Sequence, residues 1–252
     1  MNEFTELEMA NVFEEMLTAS LIKGLPDFSV LYREVACQQG IPDFIGLLSD
    51  SLIQNYSFAN LTATESCSVI LSILKRNSGR KKRYIKEKTS LSDATLNRAL
   101  RELLINGLVI EKDGLYFLAV NDDPNKNNIW AFELKLSNWK RALFQALQYK
   151  AFANYVAVVL PYEKEKVLQQ NLSTFTSLNV GVLLFDPKAK KAKWLRRPKK
   201  EPSISKWQTL FMLAKISNQY SKENKIPKLG QYRTEKMRNK GKCGRIWAWI
   251  SK

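Results

Sequence analysis

Two acidic side chains and one lysine stand where they could hold a divalent cation. Glu133 and Lys135 lie two residues apart in the apolar run 129–136, and Asp43 follows a proline at the start of another apolar run. Mg²⁺ binds one or two carboxylates together with water, carbonyl and phosphate oxygens. Asp43, Glu133 and the backbone carbonyl of Leu134 would form such a ligand set, with Lys135 orienting a metal-bound hydroxide. This pattern predicts metal-assisted phosphodiester hydrolysis.

The Glu-x-Lys spacing also predicts how the strand is oriented. Residues i and i+2 of a strand point to one face, so Glu133 and Lys135 should emerge side by side. Phe132, Leu134 and Leu136 should then face the core. On Glu-x-Lys alone, a plain ion pair on an edge strand is the favoured explanation of the two charges.

Histidine is absent from the 252 residues, which excludes Ser-His and Cys-His catalysis and any histidine metal site. The three cysteines, Cys37, Cys67 and Cys243, are far apart and odd in number, which favours free thiols in a reducing compartment. The start of the chain is acidic and lacks a basic leader. The apolar runs are much shorter than the roughly 20 residues of a membrane span. We therefore expect a cytoplasmic protein without a membrane partner.

The positive charge is concentrated in the last quarter of the chain. Residues 1–185 carry 20 Lys+Arg against 20 Asp+Glu, whereas residues 186–252 carry 20 against 4, which accounts for the whole net charge of +16. Such a block usually meets a polyanion. The interleaved tryptophans favour nucleic acid, although a solvated tail is the alternative; they are Trp194, Trp207, Trp247 and Trp249.

Hydrophobic periodicity predicts an alternation of helices and strands on both sides of a central insertion. The predicted helices are 4–23, 138–152, 163–174 and 203–222, and the predicted strands are 29–37, 41–48, 129–136, 155–160 and 179–186. Alternating elements of this kind indicate an α/β layer with parallel crossovers.

The segment between the second and third predicted strands has its own pattern. It reads as a helix (62–76), a short basic helix (80–89), a capped helix (92–108) and a hairpin (108–120) with an Asp-Gly turn. A polar linker (121–128) follows. This order resembles a winged helix-turn-helix module over residues 60–121.

Three motifs together resemble the PD-(D/E)xK nuclease superfamily: Pro42-Asp43, Glu133-x-Lys135, and Gln145-x-x-x-Tyr149 on the helix that follows. The resemblance implies an α/β fold with a restriction endonuclease-like αβββαβ core built from 1–50 and 127–186. The winged helix would be an insertion at 60–121, and 187–252 a basic C-terminal region with one or more helices. The implied cofactor is Mg²⁺ or Mn²⁺. The implied catalytic residues are Asp43, Glu133, Lys135, Gln145 and Tyr149.

The superfamily often adds a glutamate from its first helix to the metal ligands Asp43, Glu133 and Leu134. Glu14 and Glu15 are the candidates here, with Glu14 favoured, and Glu34 on the first strand is another. They would otherwise be solvated surface carboxylates, and Gln145 and Tyr149 would be ordinary helix packing.

The winged helix would place its second turn-motif helix in the major groove, where Asn97 and Arg98 suit adenine and guanine edges. The predicted nucleic-acid-binding residues are Arg80, Lys81, Lys82, Arg83, Thr95, Asn97, Arg98 and Arg101, together with Lys190, Lys191, Arg196 and Arg197. Winged helices also serve as protein–protein modules, which is the alternative.

The resulting expectation is a metal-dependent DNA endonuclease. A non-catalytic DNA-binding or regulatory protein on a nuclease-like scaffold and an RNA-directed nuclease are the alternatives. The chain would act as a homodimer or as a partner subunit of a DNA-processing or defence system.

Overall fold

The computed structural model describes residues 4–48, 64–119 and 128–222. The chain divides into two compact units, residues 1–218 and residues 219–252. The second unit is described only for 219–222, which end the last helix. The first unit is mixed α/β, with one six-stranded mixed sheet and one three-stranded sheet. The α/β class predicted from the alternation of elements is confirmed at this level.

The six-stranded sheet has the order β1-β2-β6-β7-β8-β9. Its strands are β1 (Val30–Arg33), β2 (Phe44–Leu47), β6 (Ile129–Leu134), β7 (Tyr155–Pro161), β8 (Gly181–Asp186) and β9 (Lys191–Arg196). β1, β2 and β6 pair antiparallel. β6, β7 and β8 pair parallel, and β9 returns antiparallel to β8. A parallel pair needs a long crossover, and helices supply it on both occasions.

The helices outside residues 64–119 come before, between and after the strands of the large sheet along the chain. They are α1 (Glu6–Thr18), α5 (Trp139–Tyr149), a 3₁₀ turn (Tyr162–Lys164), α6 (Glu165–Gln170), α7 (Leu172–Ser177) and α8 (Lys206–Lys222). The Thr5–Glu8 capping box begins α1: Glu8 N donates to Thr5 Oγ1 and Thr5 N donates to Glu8 Oε2. α5 connects β6 to β7, and the 3₁₀ turn, α6 and α7 connect β7 to β8.

One face of the sheet is closed by α1. The Phe13 ring packs edge-on against Phe44, Phe132 and Phe185, with centroids 5.6, 5.6 and 5.3 Å away. Leu134 joins the same cluster. Alternate residues of β6 therefore face α1, as the Glu-x-Lys spacing predicted, and Glu133 points to the opposite face, where α5 packs.

Residues 64–119 form the smaller sheet and its helices. The elements are α2 (Glu65–Ile73), β3 (Arg80–Lys81), α3 (Lys82–Thr89), α4 (Asp93–Ile105), β4 (Val109–Lys112) and β5 (Leu115–Leu118), with strand order β3-β5-β4. Asp113 and Gly114 both take left-handed conformations at the hairpin turn (φ 53° and 71°), as an Asp-Gly turn requires. The predicted basic helix begins two residues late because Arg80 and Lys81 pair with β5.

The first two strands are shorter than their apolar patterns predicted. β1 ends at Arg33 because Glu34 adopts a left-handed φ of 53°. The chain then makes a tight turn in which the backbones of Cys37 and Gly40 bond each other at 2.9 and 3.3 Å. In place of one predicted helix over 163–174, the structure has the 3₁₀ turn, α6 and α7, and Asn171 separates α6 from α7.

The basic region does not begin where it was predicted. The expected boundary at 186/187 falls between β8 and β9, so residues 191–196 belong to the large sheet. The dense charge concealed a strand pattern: Ala192 and Trp194 pack against the core, while Lys191 and Lys193 are exposed. No described helix is long and apolar enough to cross a membrane.

Candidate active site

The register of β2 and β6 brings the early and late acidic residues together. Phe44 lies opposite Phe132 in this antiparallel pair. The next residues, Asp43 and Glu133, therefore lie side by side where the pairing of β2 and β6 ends. Asp43 Oδ2 accepts a hydrogen bond of 2.6 Å from the backbone N–H of Leu134. β6 lies between β2 and β7. The edge-strand explanation of the Glu133–Lys135 pair is therefore wrong.

Glu133 is a buried carboxylate with both oxygens engaged. Its side chain is 1% exposed, and Oε1 lies 2.9 Å from Lys135 Nζ. Oε2 lies 2.5 Å from the phenolic oxygen of Tyr149, which is also 3.1 Å from the carbonyl oxygen of Ile41. A charge taken out of water needs such partners, and here they come from the strand itself and from α5.

Lys135 binds the backbone of Leu134, the residue whose N–H Asp43 binds. Its Nζ donates to the carbonyl oxygen of Leu134 at 3.0 Å. Burial lowers the pKa of Lys135, but the hydrogen bond and charge of Glu133 outweigh it, so the pKa is raised. The side chain is therefore a fixed ammonium at neutral pH.

Asp43 carries the most perturbed carboxyl of the cluster. Burial, followed by the charge of Glu133, raises its pKa to about 6, against the opposing effects of the Leu134 N–H and Lys135. Glu6 adds a further raising effect. Glu133 and Glu6 thus both act on Asp43, and both lie beside the ammonium of Lys135.

Sequence reasoning missed Glu6, in the first turn of α1. Glu6 Oε2 lies 3.8 Å from Lys135 Nζ, and Glu6 Oε1 accepts from the backbone N–H of Leu136 at 3.4 Å. The capping box at Thr5 could have located it, because that motif marks the residue after it as the start of the helix.

Two other predicted metal ligands, Glu14 and Glu34, form ion pairs with Arg33 instead. Arg33 Nη1 is 3.6 Å from Glu14 Oε2 and donates to Asn11 Oδ1 at 2.8 Å; its Nε is 3.9 Å from Glu34 Oε1. Among the described contacts, neither carboxylate touches Asp43 or Glu133. Glu14 lies eight residues beyond Glu6, which is roughly 12 Å along a helix.

Of the predicted pair on α5, Tyr149 touches the cluster directly. Gln145 lies one turn earlier on the same helical face. Its Oε1 is buried and has no hydrogen-bond partner within the described part of the chain. Buried polar atoms normally have a hydrogen-bond partner, so this oxygen is suited to accept from water or to bind a cation.

The carboxylates suit a metal with few protein ligands. Over residues 4–48, 64–119 and 128–222, no group of three or more His, Cys, Asp or Glu side chains is placed to hold a metal ion. Mg²⁺ does not need such a cage, because it keeps several waters and binds one or two carboxylates. The buried Asp43 carboxyl, whose pKa burial and then the charge of Glu133 raise, and the unpartnered Gln145 oxygen fit a cation held by Asp43, Glu133 and the Leu134 carbonyl.

The predicted nucleic-acid-binding residues of the smaller sheet and its helices are mostly accessible. Lys81, Lys82, Asn97, Arg98 and Arg101 are exposed. Others are engaged locally: Arg80 stacks on the Tyr84 ring at 5.0 Å, Arg83 Nε bonds Glu87 Oε1 at 2.8 Å, and Thr95 Oγ1 accepts from Ser92 at 3.0 Å.

The predicted binding residues after β8 divide into two groups. Lys191 and Arg197 are exposed, although Arg197 lies over Gly24. Lys190 pairs with Glu15 at 2.7 Å. Arg196 donates to the carbonyl oxygen of Val180 at 3.0 Å and to Asn179 Oδ1 at 3.1 Å, so it fastens β9 to the end of α7.

The thiols take no part in the cluster's hydrogen bonds. Cys37 and Cys67 are free, and burial raises their pKa values to about 12 and about 11. Both are therefore protonated and unreactive at neutral pH. Cys243 lies outside the described residues.

In comparisons with known proteins, no protein-family model, no curated protein and no solved structure matches this chain.

Proposed function

We propose that the chain is a nuclease that uses a divalent cation to hydrolyse phosphodiester bonds of DNA. The observation that carries the proposal is that Asp43 and Lys135, the latter paired with Glu133, meet at the backbone of one residue, Leu134. Asp43 and Leu134 are 91 positions apart in the chain, yet the carboxylate of one binds the N–H of the other, and Lys135 binds the carbonyl oxygen of the same residue.

The order of the elements supports the resemblance to PD-(D/E)xK nucleases. One helix, three antiparallel strands, a second helix and a parallel strand follow one another as α1, β1, β2, β6, α5 and β7. Residues 64–119 stand between β2 and β6. Their helix, strand, two helices and hairpin favour an inserted winged helix-turn-helix.

Each residue of the cluster has a role in this proposal. Lys135, fixed by Glu133 and the Leu134 carbonyl, would place its ammonium beside the attacking oxygen and the developing phosphate charge. Asp43, with a pKa of about 6, is ionised at neutral pH. Tyr149 holds Glu133 in place. Asp43, Glu133 and the Leu134 carbonyl would hold Mg²⁺ or Mn²⁺, which supplies Lewis acidity and a water of lowered pKa.

The test is a cleavage assay on supercoiled plasmid, linear duplex, single-stranded DNA and RNA, with Mg²⁺, Mn²⁺ or EDTA. We expect metal-dependent cutting of DNA that Asp43→Ala and Lys135→Ala each reduce by at least 100-fold. Glu163→Ala and Lys166→Ala, which change exposed residues of the same charges, are the matched controls. Cutting that survives both cluster substitutions would refute the proposal, and cutting of RNA alone would redirect it to an RNA-directed nuclease.

One observation favours a second function, a DNA-binding protein that does not cut. Both oxygens of Glu133 already have protein partners at 2.9 and 2.5 Å, while Asn97, Arg98 and Arg101 remain exposed on α4. This function predicts tight duplex binding that is the same in EDTA and in Mg²⁺, without product at any metal concentration.

A further inference from the structure

The outer face of α5, the helix whose inner side holds Tyr149 against Glu133, carries a basic and aromatic surface. Phe144 is 63% exposed, and Lys140 and Arg141 are exposed beside it. Helical spacing places Phe144 four residues from Lys140 and three from Arg141, so all three share one face. We call these three residues the α5 surface.

The α5 surface lies at the end of β6 that carries the cluster. Only Leu136, Ser137 and Asn138 separate Lys135 from the first residue of α5. Arg141 also precedes Gln145 and Tyr149 at intervals of four, so these three side chains form a row along the helix. Eight residues at about 1.5 Å each give ~12 Å from Arg141 to Tyr149, a span of a few nucleotides.

The cations of the α5 surface are not neutralised by carboxylates. Within the described residues Arg141 forms no ion pair, and Lys140 lies 5.7 Å from the Trp139 ring centre rather than on an acid. The charge of the α5 surface therefore complements an anion. An exposed phenylalanine beside these two cations suits the bases and phosphates of an unpaired strand, because every base offers a stacking face.

Resting on the proposed function, we infer that the α5 surface binds an unpaired nucleic-acid strand and leads it to the cluster. Phe144 stacks on one base, and Arg141 binds a neighbouring phosphate. A paired duplex keeps its base faces covered, so it cannot use Phe144. The substrate class of the site is thus single-stranded nucleic acid or the unpaired end of a duplex.

The test measures binding in EDTA, so that it does not depend on cleavage. Fluorescence anisotropy compares labelled single-stranded DNA, single-stranded RNA and blunt duplex DNA of one sequence. Phe144→Ala should weaken single-strand binding roughly 5- to 100-fold, the range for losing one stacked base. Phe144→Trp should retain the affinity and Phe144→Leu should not. The DNA and RNA arms show which sugar the site accepts.

Arg141→Gln tests the phosphate contact separately. It should lower the slope of log affinity against log salt by about 0.7 for the single strand, whereas Phe144→Ala should leave that slope unchanged. Ile204→Ala, at a residue 77% exposed outside α5, is the control for removing exposed apolar surface and should change neither quantity. Thermal melts of each variant identify any loss of folding.

The outcomes separate this inference from the proposed function. Equal binding by wild type, Phe144→Ala and Phe144→Leu overturns the inference, even if DNA is cut. The inference is also overturned if the wild type binds no single strand. It is overturned again if Phe144→Ala weakens duplex binding and single-strand binding equally. Loss of single-strand affinity in a protein that never cuts would support the α5 surface and refute the nuclease.

Discussion

The phenolic oxygen of Tyr149 lies 2.5 Å from Oε2 of Glu133, and this contact ties α5 to the central strand of the large sheet. Glu133 is 1% exposed, so water cannot replace the tyrosine without local opening. The contact therefore affects stability as well as the orientation of the carboxylate that we assign to the metal.

Removing that hydroxyl should destabilise the protein. We expect Tyr149→Phe to lower the free energy of unfolding by about 1–3 kcal/mol, because one oxygen of Glu133 would be left without a donor. Urea unfolding measures the change. Tyr155→Phe, which keeps the stacking of that ring on Trp130, is the control and should cost less than about 0.5 kcal/mol. Equal costs would mean that the Glu133 contact contributes nothing.

Because the pKa of Asp43 is raised, replacing its carboxyl by a group that cannot ionise should stabilise the metal-free protein at neutral pH. Its pKa rises from 3.8 to about 6, so the folded state binds the proton more tightly than the unfolded state. That stabilisation is complete below pH 4 and is lost as the pH rises through about 6.

Asp43→Asn keeps an acceptor for the Leu134 N–H but cannot ionise. Its unfolding free energy in EDTA should match wild type near pH 4 and exceed it above pH 6, by at most roughly 3 kcal/mol. Urea titrations between pH 4 and pH 8 would follow the difference. A difference that is constant with pH would show that Asp43 is not strained by its neighbours.

Gly46 on β2 should tolerate no side chain while Phe28 is present. A Cβ at this position would lie 2.5 Å from Phe28 Cδ1, so Gly46→Ala should cost about 1–3 kcal/mol of stability by overpacking. A double-mutant cycle with Phe28→Leu tests the cause, because the smaller side chain should recover part of the loss. Strictly additive effects of the two substitutions would contradict the contact.

Two basic residues of β9 should have different roles, Arg196 in stability and Lys191 in nucleic-acid binding. Arg196→Ala should lower stability by about 1–2 kcal/mol, since the carbonyl of Val180 loses its donor and Asn179 Oδ1 keeps only the backbone N–H of Lys199. Lys191→Ala should leave stability unchanged and reduce the salt dependence of duplex binding by about one unit of slope. Melting curves and anisotropy at several salt concentrations measure both. A reversed pattern would remove Lys191 from the nucleic-acid surface.

The sequence predicted most of the element order because hydrophobic period and capping signals are local. The alternation along β6 was enough to predict that Glu133 and Phe132 lie on opposite faces of the strand. The proximity of Asp43 was predicted only through the resemblance, since pairing across 91 positions leaves no local signal.

The errors have physical causes as well. Strand β9 was missed because its alternation of Ala192 and Trp194 with lysines reads as a charge run. Glu6 was not considered because the helix was predicted to begin at residue 4, without use of the cap at Thr5. The length of β1 was overestimated because an apolar pattern does not reveal that Glu34 adopts a left-handed φ.

The main-chain N–H of Leu134 is bound by Asp43 and its carbonyl oxygen by Lys135, so this part of the site is formed by backbone atoms and not by the Leu134 side chain. Every amino acid except proline supplies the same two atoms. Apolar exchanges at this position should therefore be neutral to both bonds, and an amide-to-ester replacement is the chemical edit that would delete one of them and spare the other.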